Sequence, residues 1–288
     1  MVRKKARRAN LLYEPHLNVP LLSFEGGGID FQHSALEMSA PAQNEEMHLH
    51  DSCEIYVNVS GNGAFMVEKA LYPITRGDII ITRPNELHHA VFRPGAVHEH
   101  YCIWFRAKAE SPFAARFFER ERGEGNLLSP TGEEKERLLR LLAAMESKKE
   151  DALALTVSFL RVLALIDKSE AVGAEPSDLP EPLNSILGEI GKEYREPLRF
   201  SEIAKRHFIS QSTLGRLFHT YLHVSPHGYL EDLRMAEAKR LLAAGADVTA
   251  AAFQSGFSDA SHFILLFRRR FGITPGKYRV MQSDAENK

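Results

Sequence analysis

A tandem repeat in the last third of the chain limits its fold more than any other feature. When Ala204 is aligned with Ala252, an apolar residue, Ile209 or Phe257, stands five positions later in each copy, and a serine follows it. A small residue on a first helix, a tight turn and a second helix of apolar spacing are typical of a helix-turn-helix. Two copies 48 residues apart predict an all-α domain that contains two such motifs.

The serine in each copy, Ser210 or Ser258, is predicted to cap the second helix of its motif. The second copy has one extra residue between this serine and the apolar positions of that helix. A candidate spacer helix, starting with Ser225 and Pro226 and ending near Ala244, separates the copies. At ~1.5 Å per residue this helix would span roughly 28 Å, and neighbouring major grooves of B-DNA are about 34 Å apart. The spacing favours DNA as the partner, with a protein-binding helical bundle as the alternative.

Charge is distributed unevenly along the chain. Residues 181–280 contain 14 Lys and Arg against 10 Asp and Glu, a net charge of +4, and residues 281–288 add −1. Because the whole chain carries −2, residues 1–180 carry −5. A basic C-terminal third after an acidic N-terminal part indicates that a polyanion would bind one domain only.

The first part of the chain changes from strand patterns to helix patterns. Residues 20–106 are short β-branched segments separated by turn signals such as Gly61-Asn62-Gly63, which predicts a sandwich or barrel. Residues 112–168 have helical periodicity, and three prolines follow between Ser169 and Pro182. We therefore predict an α+β chain with an N-terminal domain over 1–170, a linker over 171–182 and a helical domain over 183–288.

Residues 183–281 resemble the DNA-binding domain of AraC/XylS-type transcription regulators, most clearly in the stretch KRLLAAGADVTAAAFQSGFSDASHFILLFRRRFGITPGKYR, 239–279. Positions typical of that family are Gly256-Phe257, Phe267, Phe271 and Thr274-Pro275. The resemblance implies promoter DNA as a partner and a first recognition helix from about Gln211 to Tyr221. Phe208 departs from the pattern, because the first turn commonly has glycine there.

By this resemblance, exposed residues of two recognition helices would contact DNA. The candidates are Gln211, Ser212, Gly215 and Arg216 in the first copy, and Ala260, Ser261, Ile264, Leu265, Arg268 and Arg269 in the second. Arg216 suits bidentate contact with guanine. Because Leu265 replaces an arginine common in the family, the second helix is expected to contact thymine methyl groups or to bind phosphates through Arg268 and Arg269. A solvated face is the alternative for these arginines.

The segment HLHDSCE, residues 48–54, begins a second motif that continues with Gly77-Asp78, Pro84 and His88. It resembles both cupin motifs, and the usual metal-ligand positions are filled by His48, His50, Glu54 and His88. On a straight strand Glu54 would lie ~13 Å from His50, so residues 51–53 must turn the chain. Three imidazoles and a carboxylate suit Zn²⁺, Fe²⁺, Mn²⁺ or Ni²⁺. The same side chains can instead hydrogen-bond the hydroxyls of a polar ligand, and both interpretations stay open.

The cupin barrel is also the effector domain of sugar-responsive AraC-type regulators, so the resemblance implies a small polar effector, a carbohydrate or its derivative. Candidate effector-binding residues are His48, His50, Glu54, Tyr56, His88, His100 and Trp104. The last strand places His98, His100, Cys102 and Trp104 on one face. This face either lines the cavity or belongs to an ordinary strand.

The predicted protein is therefore a cytoplasmic, effector-responsive, DNA-binding transcription regulator and not an enzyme, because no nucleophilic triad or redox cofactor motif is found. A metal-dependent cupin isomerase or dioxygenase fused to a helical domain is the competing class. In the family, helices such as those between about 131 and 168 pair subunits, so a homodimer is expected, with packing on their own domain as the alternative. RNA polymerase would be a further partner of an activator.

Other features place the chain in a reducing compartment and away from membranes. Cys53 and Cys102 are expected to be reduced thiols. The apolar stretch Ala152–Ile166 is too short to cross a bilayer and contains Arg161. The basic start, Arg3–Arg8, is followed by no long apolar run, so it is expected to be a disordered tail or an arm that touches DNA, not a signal peptide.

Overall fold

A computed structural model describes most of the chain and divides it into two compact units. The described residues are 10–13, 16–24, 27–37, 48–61, 63–68, 70–91, 97–147, 151–172, 179–222 and 224–286. The first unit comprises residues 1–46 and 50–178, and the second comprises residues 179–288 together with Met47–Leu49. The Arg3–Arg8 segment lies outside the described residues. Within them, no helix combines the length and the apolar character needed to cross a membrane.

The first unit is built mainly of antiparallel strands. They are β1 (Asn10–Tyr13), β2 (His16–Phe24), β3 (Gly27–Glu37), β4 (Cys53–Asn58), β5 (Gly63–Val67), β6 (Ala70–Ile74), β7 (Ile79–Thr82), β8 (His88–Val91), β9 (Val97–Phe105), β10 (Leu127–Leu128) and β11 (Ala171–Val172). The larger sheet has the order β1-β3-β9-β4-β7-β10-β11, with β2 paired to β3, and the smaller sheet has the order β6-β5-β8. The sheet-rich N-terminal fold predicted from the sequence is confirmed.

Alternation along the central strand β4 separates two packing environments. Cys53, Ile55 and Val57 belong to a core shared with the helices that follow the strands. Tyr56 belongs to a second core that also contains Phe65 of the smaller sheet. The larger sheet is therefore covered by helices on one face and by the smaller sheet on the other, and Glu54 and Tyr56 point between the two sheets.

Three helices complete the first unit: α1 (Ala115–Phe118), α2 (Gly132–Ser147) and α3 (Ala152–Lys168). Helical spacing predicts two apolar faces in this region. Their residues Leu138, Leu142, Met145, Phe159, Leu163 and Ile166 are buried, and Leu141 is half-buried. These faces therefore pack on their own domain, which was the alternative to pairing two subunits. The opposite face of α3 leaves Leu153, Val157 and Leu160 exposed.

Helices make up the second unit, in agreement with the predicted fold class. They are α4 (Glu181–Glu193), α5 (Phe200–Arg206), α6 (Gln211–Leu222), α7 (Pro226–Ala243), α8 (Val248–Gln254), α9 (Ala260–Phe271) and α10 (Pro275–Glu286). The repeat forms two similar helix pairs, α5-α6 and α8-α9, separated by α7. The start of α7 is as predicted, since Ser225 caps it by accepting a hydrogen bond of 3.0 Å from the Gly228 amide.

Two short elements occur where the sequence predicts helix or linker. Strand β10 pairs with β7, and β11 pairs with β10. Helix α4 begins at Glu181, inside the stretch 171–182, because proline is compatible with the first helical turn, where Pro182 stands. Leu127 and Leu128 of β10 are both buried. A strand of two residues is too short to show the alternation by which a strand is predicted from sequence.

The turns of the two helix pairs share a backbone conformation but differ in their caps. Phe208 and Gly256, which occupy the same place in the repeat, have left-handed φ angles of 55° and 95°. Ser210 caps α6, as predicted, by accepting a hydrogen bond of 3.0 Å from the Thr213 amide. In the second copy the predicted cap, Ser258, is wrong, because the extra residue moves the helix start by one position and Asp259 caps α9 instead.

Candidate effector site and nucleic-acid interface

The carboxylate of Glu54 lies at the centre of a buried cluster between the sheets. Its Oε2 accepts hydrogen bonds from His50 Nε2 at 2.7 Å, His88 Nε2 at 3.0 Å and Trp104 Nε1 at 2.9 Å. Its Oε1 faces the Cys102 thiol at 3.6 Å. Three predicted residues from separate parts of the sequence therefore meet at one oxygen of a fourth, Glu54.

The predicted turn between His50 and Glu54 is present. Residues 51–52 form a bend and β4 begins at Cys53, which brings Glu54 back towards His50. The Nδ1 of His50 donates to the Ser52 carbonyl at 3.0 Å, and the Nδ1 of His88 donates to the Glu86 carbonyl at 2.7 Å. Both nitrogens of each ring therefore face an acceptor, Nδ1 a backbone carbonyl and Nε2 the Glu54 carboxylate.

Among the described residues, one group has the composition and closeness of a metal site. The ligand atoms of His48, His50, Glu54 and His88 lie within 4.8 Å of one another. The N and O ligands of one tetrahedral Zn²⁺ ion are ~3.4 Å apart, so these side chains would move closer together by roughly an ångström around an ion. Backbone carbonyls that hold the Nδ1–H of ligating histidines are the usual second shell of such sites. The residues therefore fit a divalent transition metal ion.

The charges of this cluster support one another. Burial would raise the pKa of the Glu54 carboxyl, but attraction to His88 and hydrogen bonds from His50 and His88 outweigh burial and hold the pKa well below its usual value. Burial would likewise lower the pKa of His88, but the Glu54 carboxylate and its hydrogen bond raise it. A buried anion therefore faces either protonated imidazoles or another cation.

A second group of aromatic and imidazole rings adjoins this cluster on the same side of the sheet. The Tyr56 hydroxyl and His98 Nε2 are 2.6 Å apart, and the rings of His98 and His100 stack with centroids at 4.9 Å. Burial lowers the pKa of His98 to about 2, with a smaller contribution from electrostatic repulsion by His100. Burial lowers the pKa of His100 to about 4. Both rings are therefore neutral at pH 7.

Sequence reasoning missed two inward polar residues of this region. Asn58 follows Glu54 and Tyr56 on β4 at a spacing of two residues and lies opposite His100 of β9 in the strand register. Thr82 of β7 lies opposite Glu54. Within the part of the chain that the structure describes, Asn58 Oδ1, Thr82 Oγ1 and His100 Nδ1 are buried without a hydrogen-bond partner. The period of two that exposes Glu54 and Tyr56 to the interior also predicts Asn58.

The structure places the predicted DNA-contacting residues on α6 and α9. On α6, Gln211, Ser212 and Arg216 are exposed and Gly215 is half-buried. On α9 the residues Ser261, Ile264, Leu265, Arg268 and Arg269 are exposed and Ala260 is half-buried. These five follow one another at spacings of three, one, three and one, which is a single helix face.

Two further observations refine this surface. Arg270, the third arginine of its run, forms an ion pair with Asp232 of α7 and is only partly exposed. The run therefore combines two exposed arginines with one that holds α9 against α7. His262 is also exposed in the first turn of α9. Its position beside Ser261 at the start of the helix would have identified it from the sequence as a further candidate DNA-contacting residue.

Comparison with known proteins assigns each unit. A model described as an AraC-like ligand binding domain matches residues 32–163, and a helix-turn-helix domain model matches residues 203–281. The chain is 27% identical over 262 residues to the HTH-type transcriptional activator RhaS of Escherichia coli O139:H28 (strain E24377A / ETEC), covering 85% of this chain and 91% of that protein.

Two solved structures are also similar to it. One is a transcriptional regulator with an AraC-type DNA-binding domain from Chromobacterium violaceum, with 30% identity over 35% of this chain and 92% of that chain and a TM-score of 0.33. The other is ToxT from Vibrio cholerae O395, with 15% identity over 88% of this chain and 98% of that chain and a TM-score of 0.36. The two family models together match most of the sequence. The chain belongs to the AraC family of transcription regulators, with an N-terminal ligand-binding domain and a C-terminal helix-turn-helix domain.

Proposed function

We propose that this protein changes transcription in response to a small, polyhydroxylated effector, a carbohydrate or its derivative, bound between the two sheets of the N-terminal domain. The observation that carries the proposal is the set of buried polar atoms that have no hydrogen-bond partner among the described residues, Asn58 Oδ1, Thr82 Oγ1 and His100 Nδ1. An unpaired buried polar group costs about 1–3 kcal/mol, so a ligand that supplies hydroxyl groups would be stabilised there.

The chemistry around these atoms favours an uncharged effector. His98 and His100 are neutral at pH 7, and hydroxyl groups can donate to or accept from imidazole, amide and hydroxyl groups. Glu54 Oε1, which faces the Cys102 thiol, offers a charged acceptor for one hydroxyl. The ring of Trp104 offers an apolar face for a sugar ring.

A reporter assay with His50→Ala tests the proposal. The variant should lose the response to effector and keep nearly wild-type operator binding without effector, because His50 lies in the cluster and not in the DNA-binding domain. Arg76→Ala, at an exposed residue of the same domain, is the control and should respond normally. A normal response from His50→Ala would contradict a sensing role for this cluster.

A divalent ion bound by His48, His50, Glu54 and His88 is the second part of the proposal. When bound, Zn²⁺, Fe²⁺, Mn²⁺ or Ni²⁺ would supply a Lewis acid for an oxygen of the effector. Metal analysis of the purified protein should then find stoichiometric metal that His88→Ala removes. Such metal together with turnover of candidate sugars would instead support the competing enzyme class; our proposal is that the chain regulates and does not catalyse.

We also propose a homodimer that acts on promoter DNA in the cytoplasm. On α3 the side chains of Leu153, Val157 and Leu160 are 64%, 40% and 39% exposed and follow one another at spacings of four and three. Such a stripe suits packing against the same helix of a second copy. Val157→Asp with Leu160→Asp should shift sedimentation towards monomer, whereas Arg137→Asp on α2 should not. Similarity to an activator adds RNA polymerase as a proposed partner.

A further inference from the structure

We propose that the buried ion pair between Glu86 and Arg120 is the device that positions His88 in the metal-binding cluster. This inference rests on the proposed role of His88 as a metal ligand. Arg120 follows α1 in the chain, 34 residues after Glu86, so the two residues join the segment after α1 to the loop of residues 83–87 that precedes β8.

Glu86 is fully buried, and each of its carboxylate oxygens accepts two hydrogen bonds. Arg120 donates from Nη1 to Oε1 at 2.9 Å and from Nη2 to Oε2 at 2.5 Å. The backbone amide of Gly123 donates to Oε1 at 2.9 Å, and the amide of Arg83 donates to Oε2 at 3.0 Å. A bidentate pair of this kind fixes direction as well as distance, so the whole residue Glu86 is held in one place.

The backbone of Glu86 transmits this restraint to His88. The Glu86 carbonyl accepts the hydrogen bond from His88 Nδ1 at 2.7 Å, so the position of this carbonyl fixes the orientation of the imidazole ring. With Nδ1–H held there, Nε2 is directed at Glu54. A carbonyl that orients a ligating imidazole in this way contributes about 10–100-fold to metal affinity in other sites.

A second arginine of the same segment holds the next part of the loop. Arg122 Nη1 donates to the Asn85 carbonyl at 2.9 Å, and the Asn85 amide donates to the His50 carbonyl at 2.8 Å. Arg120 and Arg122 together therefore connect the segment after α1 to two of the proposed metal ligands, His50 and His88. We call Glu86, Arg120 and Arg122 together the arginine clamp, and the variant that replaces Glu86 and Arg120 the clamp variant.

The test uses the full-length protein and removes the ion pair without leaving a buried charge. Glu86→Gln with Arg120→Met removes both charges and keeps an oxygen acceptor for one of the two backbone amides, that of Gly123 or that of Arg83. The control is Glu136→Gln with Arg76→Met, the same exchange at an exposed ion pair of the same domain. Circular dichroism and thermal unfolding establish that each variant folds. Co²⁺ titration, the visible Co²⁺ spectrum and ¹H–¹⁵N spectra of the histidine rings are then measured.

We expect the wild type and the control to bind Co²⁺ with the same affinity and spectrum. The clamp variant should bind about 10–100-fold more weakly, with an altered visible band, and should lose the hydrogen bond at His88 Nδ1 when metal-free. A folded clamp variant with unchanged Co²⁺ affinity, spectrum and His88 Nδ1 hydrogen bond would overturn the inference.

Two other outcomes are also decisive. If the wild type binds no Co²⁺, the metal part of the proposed function fails, and the metal-free ring spectra test the clamp separately. A lost hydrogen bond at His88 Nδ1 in the variant supports the positioning role, and a retained one overturns it. If the double variant does not fold, Arg120→Lys replaces it, because lysine keeps the charge and loses the bidentate geometry. It should show the same changes with a smaller loss of affinity, and wild-type behaviour would overturn the inference.

Discussion

Two exposed arginines of the DNA-binding domain are predicted to contact different parts of the DNA, one a base and the other a phosphate. Arg216 lies on α6 among the candidate base-contacting residues, whereas Arg269 lies on α9 beside Arg268 and Leu265. A guanidinium in the major groove can bind both acceptors of a guanine, but a guanidinium on a phosphate carries no information about the base. Specificity and affinity should therefore separate between these two residues.

Arg216→Ala should weaken binding to a specific operator by roughly 1–3 kcal/mol and relax the preference at one base position. Arg269→Ala should weaken binding to a similar extent on all sequences, since a lost phosphate contact affects every sequence equally. A series of single-base substitutions in the operator, measured with both variants, compares the two. Unchanged discrimination by the Arg216 variant would exclude a base-contacting role for it.

The neutral histidines of the sensor domain make its stability depend on pH. Their pKa values are about 2 for His98 and about 4 for His100 in the folded domain, against an ordinary value of 6.5. Below pH 6.5 the unfolded chain therefore binds more protons than the folded one, so stability present above pH 6.5 is lost as the pH falls.

Denaturant unfolding between pH 6.5 and 4.5 should show this loss. Each histidine should lower the free energy of unfolding of the N-terminal domain by about 1.4 kcal/mol per pH unit. The variant His98→Asn with His100→Asn should be less stable at pH 7, because it loses packing, and should show a flatter pH dependence. An equal slope in the variant and the wild type would show that both rings are already charged in the folded domain.

At the scale of the elements, the turns of the two helix pairs have the same left-handed backbone conformation but different residues at that position. Gly256 adopts φ +95°, and a Cβ there would lie 2.8 Å from Arg195 Cα. Phe208 adopts φ +55° at the equivalent place with its side chain 97% exposed. The second copy thus needs glycine for both its backbone and its packing, whereas the first copy accepts a side chain that points into solvent.

Gly256→Ala should destabilise the DNA-binding domain by more than about 2 kcal/mol, since left-handed strain and a backbone clash act together. Phe208→Gly should change stability by less than about 1 kcal/mol, because relief of strain is offset by the entropy of glycine in the unfolded chain. Thermal and denaturant unfolding of both variants measure the difference. Similar losses at the two positions would mean that the turns are not equivalent.

Local patterns predicted the elements that span a full period of strand or helix. The apolar faces of α2 and α3 and the capped start of α7 follow from spacing and cap residues alone. The bend before Glu54 could be predicted because a straight strand would hold Glu54 too far from His50. The cap of α9 could not, since both Ser258 and Asp259 are good caps and only the register of the folded helix selects Asp259. Nothing local connects Glu86 to Arg120, and β10 is too short to have a pattern.

At the scale of the whole molecule, sensing and DNA binding belong to separate units with separate chemistry. A fragment of residues 179–288 should bind the operator without the N-terminal domain, because both helix pairs and α7 lie inside it. Its affinity should fall steeply with salt as Lys and Arg displace counterions from phosphates. Operator titrations at several salt concentrations measure this, with the full chain as the comparison. Binding that does not change with salt, or no binding to any promoter DNA, would contradict the assignment.

The spacer helix also sets a rule for the DNA. Aromatic contact between Phe218 and Tyr229 joins α6 to α7, and Met235 and Leu242 of α7 share a core with Phe263 and Phe267 of α9. The distance between the two recognition helices is thus built into one rigid element. Five base pairs inserted between the two contacted segments should abolish binding by moving one segment to the opposite side of the double helix. Ten inserted base pairs should not restore it, because the rotational phase returns but the protein cannot lengthen by a turn of DNA.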